Sequence, residues 1–409
     1  MRRLRLLIVS SDTYPPTRVD VSVLFGIELA ARGHEIDLIL QSEAACPRPY
    51  ATQWEGGRAW VGATDLGHSL LSRLRKHAFG IANDLRLFSR LRHARYDAVE
   101  VKDKFLSGVF ALMASRLFRA RFIYWLSYPF PEHYLLRAKD NTARYPLLYK
   151  VRGLVFKWLL YRWLLPAADH VFVQSEQMRQ DVAATGIPLN KMTAIPMGIS
   201  VDMCAPVDLT QSRRVLPQGS PCVLYLGTLN KVRRLDFLIR VFAEVRTAIP
   251  SALLYIVGQG DDPEDQVFLR NEVARLDLQS SVVFVGQLPQ AQALKYVQEA
   301  DVCVSPFYPT PVLRSTSPTK LVEYMAMGKA VVANDHPEQK WVIEESGAGL
   351  CVPYAEQPFA AAIVSLLQNP DTSRLMGQRG RRYAIEHRAY GVIADTVERR
   401  MLDIVEGRC

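Results

Sequence analysis

At 409 residues, 49% hydrophobic and 22% charged, the chain exceeds one ordinary core and predicts two globular domains of soluble composition. No run of about 18 uncharged apolar residues occurs, which argues against a spanning helix. The six cysteines are scattered, with no Cys-x-x-Cys and no nearby histidine, which argues against a zinc site or a disulfide framework.

The opening Met1-Arg-Arg-Leu-Arg-Leu-Leu-Ile-Val has too short an apolar run for a secretory signal. Residues 4–9 therefore read as a first buried strand, and the chain as cytosolic. After a loop through Pro15-Pro16, residues 19–32 show helical spacing of Val23, Ile27 and Ala30/Ala31, ended by Gly33-His34, and 36–40 is the next strand. Strands over 98–101, 122–125 and 170–173, with a helix over 176–185, extend a strand–helix alternation that implies parallel βαβ units. Residues 192–199 read as the last strand of this half, running into a linker near 200–215. The pattern then restarts. Strands are expected at 222–226, 252–257, 282–285, 302–304 and 330–333, and helices at 235–247, 267–276, 291–299 and 318–327. The expected architecture is α/β, two doubly wound Rossmann-like halves divided at 205/206, with a last helix from about 390 crossing back onto the first half.

The net charge of +9 is compatible with nucleic acid, an acidic membrane face or a phosphorylated substrate. Its distribution narrows this. Residues 69–95 carry Arg73, Arg75, Lys76, Arg86, Arg90, Arg92 and Arg95 against Asp84 alone, and 141–168 carry Arg144, Lys150, Arg152, Lys157 and Arg162 with no acid. No aromatic-basic nucleic-acid motif appears. The aromatic and aliphatic stretch 145–165, punctuated by cations, fits either a helix lying in a membrane interface or one buried between domains.

Open parallel sheets bind ligands outside the carboxyl ends of their strands. Three such ends stand out in the second half. After the strand at 222–226, Gly227-Thr228-Leu-Asn-Lys231-Val-Arg233-Arg234 places a glycine turn and cations just before a helix, which suits a diphosphate. Arg233 or Lys231 is the expected ligand, with Arg234 as readily facing solvent. In Ser315-Thr-Ser317-Pro-Thr319-Lys320-Leu321-Val-Glu323, Ser317 fits a helix N-cap and Pro318 the first helical position. Lys320 in the first turn opposes the helix dipole unless an anion sits there, and Glu323 is placed to accept from ribose hydroxyls. Gly258 and Gly286, each after a strand, permit close approach of a base or ribose. Asp261, Asp262 and Asp265 read as an acidic helix start before a metal site. In the first half, Asp12, Asp103 (between Lys102 and Lys104), Ser127, Glu132 and His133 are candidates to orient or deprotonate an acceptor hydroxyl. The plainer alternatives are a salt-bridged turn for Asp103 and a satisfied or solvent-facing histidine for His133.

These motifs, with Leu254-Tyr-Ile-Val-Gly-Gln-Gly260, Val282-Val-Phe-Val-Gly286 and Ala300-Asp-Val-Cys-Val-Ser-Pro306, resemble glycosyltransferase family 4, a retaining group with the two-domain GT-B fold. The resemblance implies that two Rossmann-like domains face each other across a cleft. It implies that Glu323 holds the nucleotide ribose, as the second glutamate of an E-x7-E signature, and that Arg233 neutralises the donor diphosphate. Main-chain N–H groups near Thr319 and Leu321 would meet the distal phosphate and sugar. The implied reaction moves a hexosyl group from a UDP- or GDP-sugar, with no metal, to a glycan or polyprenyl-diphosphate-linked acceptor at the inner face of the cytoplasmic membrane, in bacterial polysaccharide assembly. Four positions depart from the family. Ser315 replaces the first signature glutamate, Thr228 replaces an arginine, the paired glycines are absent from residues 15–20, and no histidine follows the fourth strand. A sugar-nucleotide epimerase and a catalytically silent nucleotide-sugar-binding subunit are the competing readings.

Overall fold

The computed structural model describes residues 2–67, 69–140, 142–202, 214–260 and 262–408, with nothing stated of the side chains of Leu70 and Arg73. Most of the linker expected at 200–215, the 205/206 boundary and Asp261 lie outside the described residues. The chain forms two compact units, Met1–Pro196 with Tyr390–Cys409, and Met197–Ala389.

The first unit is built on eight strands: β1 (Arg5–Tyr14), β2 (Glu35–Ser42), β3 (Tyr50–Trp54), β4 (Gly57–Gly62), β5 (Ala98–Lys102), β6 (Arg121–Leu126), β7 (His170–Val173) and β8 (Met192–Ala194). Their order is β3-β4-β2-β1-β5-β6-β7-β8. All pairs are parallel except the β3–β4 hairpin. Leu6 to Val9 and all of β5 are buried, as expected of strands covered on both faces. Three local expectations change. The helix expected over 19–32 is helical but not uniformly α: a short α-helix at Val19–Ser22 is followed by a π-helical stretch at Leu24–Leu29; there Gly26 meets the Trp54 ring, which a Cβ would approach to 2.9 Å. The β3–β4 hairpin was not visible as a strand pair, because its partner contacts rather than its own pattern hold it: Trp54 Nε1 donates to the Ile36 carbonyl (2.8 Å). The strand expected over 192–199 stops at Ala194, where Pro196 has no N–H to continue a ladder. The helix Tyr390–Glu406 buries Ile393, Ala394, Val397, Met401 and Ile404 in the cluster formed by β1, β2 and their covering residues. Its Glu398 receives His34 (2.9 Å) and Arg32 (2.8 Å).

The second unit carries β9 (Cys222–Leu226), β10 (Leu253–Val257), β11 (Val282–Gly286), β12 (Val302–Ser305), β13 (Val331–Asn334) and β14 (Gly349–Val352). Their order is β11-β10-β9-β12-β13-β14, all parallel. This is the doubly wound 3-2-1-4-5-6 order, whose ligand crevice opens at the switch point between its first and fourth strands. In this unit the switch point lies between β9 and β12. In the first unit it lies between β1 and β5.

Candidate functional site

In the second unit, the turns after β9, β10 and β11 are stitched into one surface. Gly227 N–H donates to Val257 (3.0 Å), Leu229 N–H to Gln259 (3.1 Å) and Gly258 N–H to Gly286 (2.8 Å). The approach tolerates no side chain at Gly258, where φ is +133° and a Cβ would lie 2.0 Å from the Gly227 carbonyl oxygen. A cavity of about 520 Å³ opens over these turns, lined by Gly227, Thr228, Gly258, Gln259, Gly260, Gln287 and Leu288 with parts of β9 and β10. Gly286 lies beneath them and bears its own positive φ of +89°.

Beside the turns stand the helix Thr319–Ala326 and a group of cations. No side chain caps this helix; the first N–H groups of any helix have no intrahelical partner. Ser317 is not the cap. Its hydroxyl instead accepts the Met197 N–H (3.0 Å), which pins the approach to the helix. Lys320 Nζ donates to Tyr225 Oη (2.7 Å) and sits 4.0 Å from that ring's centroid, while Tyr225 Oη donates to the Thr228 carbonyl (3.2 Å). Lys320 and Arg233 also lie over one ring, Phe307, at 5.5 and 5.3 Å. Among the described residues, neither cation has a carboxylate within ion-pair distance. Burial, and then Arg233, push the Lys320 pKa well below the usual ammonium range. Glu323, one turn further along, receives Gln290 Nε2 (3.4 Å), and burial raises its carboxyl pKa. Leu321 is buried and Thr319 half-buried at the helix start, and Ser315 is 3% exposed in the turn Leu313–Ser315 before it.

The structure separates the other cations from this group. Lys231 is exposed and faces Glu264 (3.5 Å), so of the two expected diphosphate ligands only Arg233 lies with Lys320. Arg234 is not a bare surface cation: it takes the left-handed conformation (φ +51°), pairs with Asp236 (3.2 Å) and lies over Tyr308. Asp262 and Asp265 form a capping box at the helix Pro263–Arg275, the acidic helix start that the sequence favoured.

At the switch point of the first unit the charges close on one another. Asp20 accepts Lys102 Nζ (2.5 Å) and Arg18 (2.8 Å). Burial works against this carboxylate, yet Lys102 and Arg18 hold its pKa at about 2. Arg18 reaches Asp12 (3.8 Å) and donates to Ser127 Oγ (3.3 Å). Ser127 donates through its N–H (2.8 Å) and its hydroxyl to Asp103. The salt-bridged-turn alternative for Asp103 fails, because Lys104 turns to Asp84 (2.6 Å), Lys102 to Asp20, and Asp103 itself is left-handed at φ +57°. Asp12, Asp103 and Ser127 thus converge. Burial raises the carboxyl pKa of both Asp12 and Asp103. His133 belongs to another group: its Nδ1 meets Tyr128 Oη (3.1 Å) among the rings of Tyr128 and Tyr134, and burial with Arg137 lowers its pKa. Glu132 accepts Tyr161 (3.2 Å) and faces Lys157 (3.6 Å). Tyr225, Phe307 and Glu100 escaped the sequence reading. Glu100, on the same face of β5 as Lys102, is buried, neither of its oxygens is bonded among the described residues, and burial raises its pKa to about 8. The readable signal was a tyrosine or a charge inside an otherwise apolar strand.

Two Rossmann-type sheets, each gathering polar side chains at its switch point, define a two-domain α/β chain of the GT-B fold. Residues 26–198 match the glycosyl transferase 4-like domain, and residues 220–369 match the glycosyl transferases of group 1. The chain belongs to the GT-B glycosyltransferases of the family 4 type. It is similar to the phosphatidyl-myo-inositol mannosyltransferase of Mycolicibacterium smegmatis, 31% identical over 178 residues covering 43% of this chain and 42% of that protein. It is also similar to the alpha-monoglucosyldiacylglycerol synthase of Streptococcus pneumoniae, 23% identical over 75% of this chain and 65% of that protein. The chain thus spans about two fifths to two thirds of the length of these curated relatives. Its fold is shared with sucrose-phosphate synthase from Thermosynechococcus elongatus, with a TM-score of 0.75 at 22% identity, covering 99% of this chain and 100% of that one. Anabaena HepE in complex with UDP-glucose shares it at a TM-score of 0.68 and 15% identity, covering 98% and 100%.

Proposed function

We propose that the chain is a retaining glycosyltransferase that moves a hexosyl group from a UDP- or GDP-sugar to a glycan or lipid-linked acceptor hydroxyl in bacterial polysaccharide assembly. The observation that carries this reading is the pair Lys320 and Arg233, gathered over Phe307 without a carboxylate counterion, beside the open helix start and the glycine turns. Such a group is completed by a diphosphate, and its positive field stabilises charge developing on the leaving phosphate without a metal. Glu323 is the ribose acceptor, and Gly227, Thr228, Gly258 and Gly286 shape the base and ribose pocket. UDP-glucose in the fold relative HepE and the mannosyl and glucosyl transferase names of the relatives support the donor class. In the first unit, Asp12 and the Asp103–Ser127 pair are proposed to orient the acceptor hydroxyl.

We also propose a peripheral position on an anionic membrane, at the inner face of the cytoplasmic membrane. Among the described residues no helix is long and apolar enough to cross a membrane. The helix Pro146–Leu159 turns Tyr149, Gly153 and Phe156 inward and leaves Leu147 (75% exposed), Leu148, Val151, Leu154, Val155 and Trp158 (56%) outward, interleaved with Lys150 and Arg152. That is an apolar face in water with cations around it, the make-up of an interfacial helix. A lipid-linked acceptor suits this surface.

Donor binding is tested by titrating UDP, GDP and their glucose and mannose conjugates. Arg233→Ala and Lys320→Ala should each lose about 2–3 kcal/mol of nucleotide affinity, the worth of a charge-assisted hydrogen bond to an ion. Wild-type affinity in both variants would sink the donor-site assignment. Flotation with phosphatidylglycerol vesicles tests the membrane surface: Leu147→Glu with Trp158→Glu should abolish it, and unchanged flotation would contradict it.

A further inference from the structure

At the amino ends of β9, β12 and β13, the opposite end of the sheet from the glycine turns, lies a cavity of about 400 Å³. Its walls are the segments that enter those strands (219–221, 300–301 and 328–330), the side chains of Leu366 and Leu367, and the start of the helix Pro370–Arg388. No side chain caps that helix, so the N–H groups of its first turn and the positive end of its dipole are left to the cavity.

The packing of the helix fixes what points inward. Gly377 lies so close to the Gly328 carbonyl that a Cβ would come within 2.0 Å of its oxygen. Ser373 stands one turn earlier on the same face, beside Lys329. Helical side chains lean toward the helix start, and the cavity opens there. Ser373 is 8% exposed, lines the cavity, and has no hydrogen-bond partner for its hydroxyl among the described residues.

Lys329 supplies the charge. Its Nζ donates to the Ala300 carbonyl (2.8 Å), and both residues line the cavity. Among the described residues no carboxylate comes within ion-pair distance of it. Burial lowers its pKa, against the opposing pull of Cys303, Asp301 and Glu299. Arg374 stands exposed at the rim and pairs with Asp371 (2.7 Å). Asp301 receives the Cys222 N–H on one oxygen (2.7 Å), which leaves the other to accept from a hydroxyl. An ammonium, a free hydroxyl and an open helix start are the donors that a phosphate group takes up.

We infer that this cavity binds a phosphate group, held by Lys329, Ser373 and the start of the helix Pro370–Arg388, at a site separate from the donor turns. The phosphate comes from one of two sources: the free ion, or a phosphorylated sugar whose hydroxyls meet Asp301 and whose ring covers Leu366 and Leu367.

The test is calorimetric titration of the whole chain with inorganic phosphate, glucose 1-phosphate and glucose, under saturating UDP or GDP so that the donor turns are filled. The expected result is that a phosphate-bearing probe binds and glucose does not. Lys329→Met and Ser373→Ala should each weaken binding about tenfold while nucleotide affinity stays within about twofold of wild type. Equal affinity for phosphate and glucose 1-phosphate assigns the site to the free ion, and a preference of about fivefold or more for glucose 1-phosphate assigns it to a phosphorylated sugar. Arg374→Glu alters an exposed side chain and serves where Lys329→Met does not fold; reversing the rim charge should weaken binding about fivefold. Wild-type protein that binds neither phosphate probe would overturn the inference. So would wild-type affinity in a folded Lys329→Met or, where that variant does not fold, in Arg374→Glu. Glucose bound as tightly as glucose 1-phosphate would overturn it too, because the phosphate would then contribute nothing. Should the protein bind neither UDP nor GDP, the donor reading falls and the same variants still decide this site.

Discussion

The two switch points hold similar residues in opposite states of charge balance. Between β1 and β5, Asp20 is clamped by Lys102 and Arg18, and Arg18 also reaches Asp12 and Ser127. Between β9 and β12, Lys320 and Arg233 share the Phe307 ring, Lys320 donates to a tyrosine hydroxyl, and among the described residues neither meets a carboxylate. A closed cluster is already satisfied. It holds the backbone of its loops and offers positioned oxygens to a neutral hydroxyl. An open cluster is destabilising until an anion arrives, because like charges and desolvation both disfavour the ammonium. The same physics therefore makes one site structural and the other receptive.

That contrast is broken most directly at Asp20. Asp20→Ala leaves the buried Lys102 without its counterion and takes from Arg18 its nearest carboxylate, and should destabilise the first unit by about 3–5 kcal/mol in thermal or urea unfolding. Because the folded pKa of Asp20 is depressed, its stabilisation is present above the ordinary aspartate value and is lost as pH falls toward about 2. A wild-type acid transition that Asp20→Asn leaves unmoved would contradict the clamp. At the open cluster the sign reverses. Lys320→Met removes a disfavoured charge, so ligand-free protein should melt at a higher temperature while nucleotide binding is lost. Lys320 has a folded pKa below its unfolded value, so stability should rise with pH between the two, and diphosphate binding at alkaline pH should take up a proton. Calorimetry in buffers of different ionisation enthalpy reads that uptake, and an absence of proton linkage would mean that Lys320 does not face the anion. The smallest effect is expected at Ser317. Ser317→Ala frees the Met197 N–H and should cost about 1 kcal/mol, with a modest loss of nucleotide affinity as the approach to the helix loosens.

Much of this was legible in the primary structure. Continuous apolar runs such as residues 222–226 and 302–304 can only be buried parallel strands in a chain of this alternation, and a glycine directly after β9 and β10 and at the end of β11 marks where a backbone must come close. Lys320 in the first turn of a helix was a local conflict that pointed to an anion. What stayed hidden depends on partners far away in the chain. Four cations crowd residues 231–234 and 320, and nothing local says that Arg233 and Lys320 converge on Phe307 while Lys231 turns to Glu264 and Arg234 to Asp236. Ser317 has the spacing of an N-cap, yet its hydroxyl is taken by Met197, 120 positions earlier.

The sequence by itself determined the sheets, the strand ends and the residue types gathered there, because apolar periodicity and glycine turns are written within a few residues of where they act. Only the tertiary structure decided which of those side chains are paired and which are left open. The clamp on Asp20 and the unbalanced charge of Lys320 both come from groups that the fold, and not the local sequence, brings within a few ångströms.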